Sequence, residues 1–216
     1  MIKLDHKDIL NLEKYFRISL VTKLSGIKSA NLIGTLDENG IANLGIFNSV
    51  VHIGANPPYL GFIMRPLTVE RQTYNNIKNK KYFTVNQVTT DMHKNAHQTS
   101  AKYPKGISEF EACNFTEHYL DDFPIPFVKE SPIQIGLSFQ EEHLISVNKN
   151  ILIVGKIEKI ILSSDFLSSD GDIDLEAIDT VGVAGLDTYY SNKRLGRYNY
   201  ARVGQTVTEI KDIKST

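Results

Sequence analysis

The 216-residue chain has no tryptophan, one cysteine and three methionines. With Cys113 alone no intrachain disulfide can form, so the expected setting is a reducing compartment, the cytoplasm. Long apolar runs are missing too, and no stretch approaches the ~18 residues that a membrane helix requires. The N-terminal segment carries Asp5 and Asp8 and no apolar run, which is not the pattern of a secretory signal. An excess of charge of either sign is also lacking. Lys and Arg total 24 against 25 Asp and Glu, a net −1, so nothing in the overall balance draws the chain toward nucleic acid or an anionic membrane. There is no internal repeat, low-complexity tract or Gly/Ser linker.

What is present is the composition of a packed fold. Hydrophobic residues make up 41% and charged residues 23%, a balance too apolar for a disordered chain. At ~150 residues per domain, the length suits one domain with extensions. We expect a single domain, 1–216, with a core over 20–165 and a C-terminal extension over 166–216. Ten Tyr and ten Phe, with many Val and Ile in short runs broken by Gly, Pro and Asn, read as mainly β. The runs from Leu32 to Leu36 and from Ile41 to Phe47 flank Asp37-Glu38-Asn39-Gly40, a hairpin signal. Asn56-Pro57-Pro58 ends a strand, and Tyr59 to Arg65 resumes as a third. Thr68 to Lys80, free of Pro and Gly, predicts a short helix. Lys81 to Val88 predicts a strand with Phe83 and Val85 on one face and Thr84 and Asn86 on the other. Thr89 to Lys102 reads as helical, and the stretch from Pro104 through Asp121-Asp122 to Pro132 as loop-rich, a candidate cover. The segments 133–139, 144–147 and 151–162 complete the strands of a β-barrel-like domain with inserted helices.

The densest collection of candidate chemistry lies between Phe47 and Asn86. Asn48 and Ser49 offer an amide and a hydroxyl at a strand end, and Arg65 is followed by Arg71, Gln72 and Thr73 beside a predicted helix. A phosphate ester is held by this mixture of guanidinium forks, hydroxyls and helix N–H groups. Spacing alone is equally met by solvated arginines and a helix cap, and favours that plainer reading.

The order of the residues adds more. Ser29-Ala30-Asn31-Leu32-Ile33-Gly34-Thr35, Asn43-Leu44-Gly45-Ile46-Phe47-Asn48-Ser49 and Asn56-Pro57-Pro58-Tyr59-Leu60-Gly61-Phe62 come first. Arg65-Pro66, Thr73-Tyr74-Asn75-Asn76-Ile77 and Phe83-Thr84-Val85-Asn86 follow. Thr99-Ser100-Ala101-Lys102-Tyr103-Pro104, Glu109-Phe110-Glu111-Ala112, the strand with Gly155 and the segment from Val181 to Tyr190 extend the series. Together they span most of 25–200 and resemble the flavin reductase-like family, the FMN-binding split-barrel proteins. The resemblance implies a split β-barrel with short inserted helices and a homodimer with flavin near the subunit interface. It implies hydride transfer from NAD(P)H to flavin, or through bound FMN to a small acceptor, with an FMN carrier, sensor or electron-transfer protein as the alternative. By the same resemblance, Phe47, Asn48, Ser49 and Val50 line the flavin ring and ribityl chain. Arg65, Arg71, Gln72 and Thr73 hold the phosphate, and Ser100 and Ala101 approach from the segment after the second helix. Such chemistry needs no catalytic acid or base, because the cofactors carry the reaction.

One departure is visible. Asn150 stands where many reductases of the family have a histidine, which leaves a nicotinamide-side contact to His97 or to Arg197 in the basic, Tyr-rich tail over 193–202. For that tail, binding and packing remain even alternatives, with nucleic acid well behind. Other motifs fall away. His93 and His97 have the i, i+4 spacing of a zinc site but no third ligand, so no metal is expected. Asp170-Gly171-Asp172-Ile173-Asp174 lacks the glycine and closing acid of a calcium loop. Asn114-Phe115-Thr116 means little without secretion, and Cys113 reads as a small apolar filler.

Overall fold

The computed structural model describes residues 1–210; the end of the C-terminal extension, 211–216, lies outside them. The chain opens with helices α1 (His6–Asn11) and α2 (Lys14–Lys23), then β1 (Lys28–Ser29), β2 (Asn31–Leu36), β3 (Ala42–Phe47), β4 (Val51–Ala55) and β5 (Pro58–Met64). Helix α3 (Gln72–Lys80), β6 (Tyr82–Gln87), α4 (His93–Gln98) and α5 (Glu109–Ala112) follow. The strands β7 (Glu117–Leu120), β8 (Phe123–Val128), β9 (Ile133–Ile145), β10 (Asn150–Leu162), β11 (Val181–Ala184) and β12 (Thr188–Ser191) complete it. No helix among the described residues is long and apolar enough to cross a membrane.

Seven strands form one antiparallel sheet in the order β3-β2-β6-β9-β10-β5-β4. The hairpin between β2 and β3 forms where the Asn-Gly signal placed it. Asp37 Oδ1 accepts from the N–H groups of Asn39 and Ile41, and Gly40 takes a φ of +84° that most side chains avoid. Although β3 and β5 are five strands apart in the sheet, Phe47 and Phe62 meet edge to face at 5.1 Å. The sheet therefore rolls over on itself. The roll encloses Ile33, Phe62, Phe83, Leu137 and Ile153, with Ile77 of α3 closing one side. Gly155 lets the roll tighten, because a Cβ there would lie 2.6 Å from the Phe83 ring.

Both faces of β6 are buried. Phe83 and Val85 enter the roll, and Thr84 and Asn86 face β8 instead of solvent. Thr84 donates to the Pro126 carbonyl, and Asn86 donates to Leu32 O while accepting from Val128 N–H. The loop-rich stretch from Pro104 to Pro132 thus also holds α5 and the strands β7 and β8. In β8, Phe123, Ile125 and Phe127 alternate inward with Pro124 exposed, and prolines are tolerated in a strand paired only to β7. The expected strands 133–139 and 144–147 are one strand, β9, which ends at Ile145, with 146–147 in the turn to β10. Gln140, Glu141 and His143 are exposed on the part of β9 that runs past β6 and pairs only with β10, where polar residues break the apolar pattern without breaking the ladder. Helix α3 starts at Gln72, four residues later than expected, since Arg71 is extended and its Nε donates to the Pro66 carbonyl. Only 93–98 of the segment 89–102 is α-helical. Strand β11 pairs with β1 and β12, and Val181 N–H donates to Val88 O, so the chain after 166 packs back onto the rolled sheet.

Candidate functional site

A cavity of about 730 Å³ lies where β3 runs into Asn48 and Ser49, beside the N-terminus of α3, the segment after α4 and the β11–β12 turn. Ser49 stitches the open seam of the roll there, its hydroxyl accepting from Ile63 N–H at 3.1 Å and donating to Ile63 O at 3.3 Å. The Asn48 amide donates to the Gly185 carbonyl at 2.7 Å. Gly185 sits at φ +63°, and a Cβ on it would lie 2.9 Å from the Lys23 side chain, so glycine suits a turn that presents that carbonyl.

One end of the cavity is built for an anion. Arg65 and Arg71 line it with Gln72 and Thr73. Arg71 precedes α3 without a side-chain cap, leaving first-turn N–H groups without an acceptor from that side chain. Thr73 is 9% exposed, and its hydroxyl makes no hydrogen bond with a described residue. The hydroxyl is not sealed from solvent, so it stands open on the cavity wall to a ligand or water. Lys102 and Lys105 add two further cations to the lining, against the carboxylates of Glu70 and Glu109. Glu109 is 5% exposed and accepts from Leu44 N–H at 3.1 Å. Burial pushes its carboxyl above the ordinary value, and the Leu44 bond opposes that only in part.

The structure brings nine of the ten expected cofactor residues to this wall. Phe47, Asn48 and Ser49 stand on one side, Arg65, Arg71, Gln72 and Thr73 at the anion end, and Ser100 and Ala101 on the segment after α4. Val50 does not line the cavity. It packs against the apolar core of the roll, because the chain turns after Ser49 and reverses the side it presents. His97 is also off the wall, but its Nδ1 meets the Tyr189 hydroxyl at 3.0 Å, and Tyr189 does line the cavity. Burial first, and the Asp187 charge second, hold the Tyr189 phenol above its ordinary value, so it stays protonated. Arg197 lies elsewhere, with Nη2 2.8 Å from Asp170. Arg194 likewise holds Asp172 at 2.6 Å. The basic tail thus packs on the chain's own acidic turn. Asn150 begins β10 opposite Ile145 and does not line the cavity.

Sequence reasoning assigned no role to Asn43, Lys105, Glu109, Gly185 or Tyr189. Glu109 and the segment from Val181 to Tyr190 do fall within the stretches that carry the resemblance. Asn43, a polar side chain on a strand position flanked by buried Ala42 and Leu44, was the readable signal of an inward polar wall.

A split-barrel protein of Shewanella frigidimarina described as a flavin reductase superposes with a TM-score of 0.90 at 43% identity, over 93% of this chain and 100% of that one. The 2-nitrobenzoate 2-nitroreductase of Pseudomonas fluorescens matches at 0.79 and 16% identity, over 95% and 99% of the two chains. The NADH:FAD oxidoreductase of Streptomyces globisporus matches at 0.65 and 10% identity, over 90% and 99%. The last two show the fold alone, a mainly β split barrel. No curated protein matches the chain. The flavin reductase-like domain covers residues 26–175, well over half the sequence, and the chain belongs to that family.

Proposed function

We propose that the protein binds FMN in the 730 Å³ cavity and uses NAD(P)H to reduce the flavin, or through it a small acceptor. The observation that carries this reading is the anion end. There the Thr73 hydroxyl, which bonds no described residue, an uncapped helix start and two arginines share one wall. Those groups fit a phosphate monoester, with Arg65 and Arg71 supplying charge, Thr73 a hydroxyl and α3 its N–H groups. When bound, the flavin would supply the redox chemistry, as acceptor of a hydride from a nicotinamide.

The chain's own residues position and shield. Asn48, tied to Gly185, fixes the β11–β12 turn against the floor of the site. Ser49 holds the seam shut beneath it, so the floor cannot spread when the cavity fills. The Tyr189 side chain, its hydroxyl hydrogen-bonded to His97, forms part of the cavity wall. Preorganised groups of this kind give orientation without reorganisation at the moment of reaction.

We place a second copy of the chain on α1 and α2. Neither helix buries a residue, and Phe16, Val21 and Leu24 of that region are exposed. A homodimer, which the family resemblance implies, would cover them if it formed on these helices. The test is anaerobic. Protein stripped of flavin should take up FMN with quenching of its fluorescence, and NADH or NADPH should then bleach the bound flavin within turnover times. Uptake without bleaching would leave a carrier; no uptake would end the flavin reading. Sedimentation of the same sample should give twice the 24.3 kDa chain mass.

A further inference from the structure

Helix α3 carries the anion end, and its own sequence does little to hold it in place. It has nine residues, three of them asparagine, and is too short and too poor in helix formers to be stable alone. Its position is therefore set by what its side chains meet. Ile77 is fully buried in the roll, and the Asn76 amide donates to the Thr35 hydroxyl at 3.1 Å. Both contacts fall near the middle of the helix. They fix its distance from the sheet and leave its tilt to other contacts.

Those contacts converge on one carboxylate. Tyr74 and Lys78 stand one turn apart on α3, and both reach Glu142 of β9. The Tyr74 hydroxyl donates to Glu142 Oε1 at 3.1 Å, and Lys78 Nζ lies 3.2 Å from Oε2. Burial first, and Glu142 second, hold the Tyr74 phenol above its ordinary value, so it remains the donor. Lys78 Nζ also sits 4.8 Å from the centre of the Phe139 ring, on the same strand as Glu142. Glu142 is out of character for its place. Gln140, Glu141, His143 and Leu144 around it are exposed, whereas Glu142 is half-buried opposite Ile153 of the roll. Its Oε2 is sealed from solvent and makes no hydrogen bond. A carboxylate held out of water with an incomplete partner costs free energy, and the ladder between β9 and β10 does not require it.

Resting on the phosphate placement proposed above, we infer that Glu142 is a positioning residue for that phosphate. Through Tyr74 and Lys78 it sets the tilt of α3, and with it the aim of the Thr73 hydroxyl and the first-turn N–H groups. It acts at a distance from the ligand, since Glu142, Tyr74 and Lys78 all lie off the wall of the main cavity. Thr73 directly precedes Tyr74, so a shift of that tyrosine carries the hydroxyl with it. The effect is confined to the phosphate end, because the walls at Phe47, Asn48 and Ser49 and at Ser100 and Ala101 belong to other parts of the chain.

FMN and riboflavin share the ring and the ribityl chain and differ only in the phosphate, so their affinities separate this role from general support of the fold. Both are titrated by fluorescence against the full-length, flavin-free protein. The parent should bind FMN about tenfold tighter than riboflavin, or more. Glu142→Ala should weaken FMN about fivefold or more and leave riboflavin within about twofold. Tyr74→Phe deletes one hydroxyl from a packed ring and should weaken FMN by about two- to fivefold; it carries the test if Glu142→Ala does not fold. Glu142→Gln keeps an acceptor for Tyr74 and should recover part of the loss. The double variant Tyr74→Phe/Glu142→Ala should lose no more than Glu142→Ala alone, since both act through one contact. Equal weakening of both flavins, additive losses in the double variant, or unchanged FMN binding in variants that melt like the parent overturns the inference and leaves the flavin reading intact. A parent that binds both flavins alike overturns the phosphate placement and the inference with it, and one that binds neither overturns the flavin reading as well.

Discussion

Arg65 and Arg71 line the cavity with no ion pair to any described residue, whereas Arg194 and Arg197 reach carboxylates of their own chain at Asp172 and Asp170. Both pairs sit near Tyr, Gly and polar residues in sequence, and composition does not tell them apart. What differs is where the counter-charge comes from. In the tail it is supplied by the acidic turn, so the arginines are spent on folding the chain back on itself. At α3 the chain supplies cations, an unpartnered hydroxyl and an uncapped helix start, and leaves the anion to a ligand. An arginine cluster is therefore informative about function in proportion to the partners the fold withholds from it.

The sharpest way to break this contrast is to truncate one member of each pair. Arg71→Ala should weaken FMN binding by about 1.5–3 kcal/mol, roughly 10- to 100-fold in Kd, the usual worth of hydrogen bonds to a charged group. Arg197→Ala should leave the FMN Kd within twofold, measured by fluorescence titration of the flavin-free protein. Equal losses in the two variants would erase the distinction. Thr73→Val probes the same end without touching charge. Removing a neutral hydroxyl contact should cost about 1 kcal/mol, roughly fivefold in Kd. The protein without ligand should become no less stable, since the hydroxyl has no partner there to lose.

Much of the barrel was legible because its signals are local. The Asn39-Gly40 turn, the alternation from Tyr82 to Gln87 and the breaker at Pro57 each act within a few residues. Strand β8 was hidden because its prolines mask an alternation of Phe123, Ile125 and Phe127 that only pairing with β7 reveals. Of the site, the residues near one strand end and one helix start were legible through their order. Gly185 and Tyr189 arrive on the wall from more than 130 residues beyond β3, through a turn whose contact with Asn48 no local pattern encodes. Val50 fell off the list for a smaller reason, a single step past a turn.

A carboxylate in each region extends the contrast to protons. Glu109 sits in the cavity wall, and burial raises its carboxyl above the ordinary value. Because the folded state then holds its proton more tightly than the unfolded state, this group stabilises the fold below the unfolded value, and the contribution is lost as pH rises through the folded one. Glu109→Gln keeps an acceptor for Leu44 N–H and removes the ionisation. The variant should therefore melt higher than the parent at pH 7, with the gap shrinking toward pH 4. A gap independent of pH would mean that the carboxyl is not strained by burial.

Asp170 should behave in the opposite sense and more weakly. The Ser168 hydroxyl, then the Arg197 guanidinium and the Asp172 N–H, bring its carboxyl down to about 2. A depressed folded value means that its contribution is complete above the unfolded value near 3.8 and disappears as pH falls toward 2. Asp170→Asn should thus cost stability at pH 6 and converge with the parent between pH 4 and pH 2. The group is exposed and screened by solvent, so the loss is small and best read locally, as faster amide exchange around Arg194 and Arg197 with the barrel unchanged. Salt should shrink it further. If acidification instead loosened the barrel before the tail, the arginine contacts there would be a consequence of the fold and not what holds the tail down.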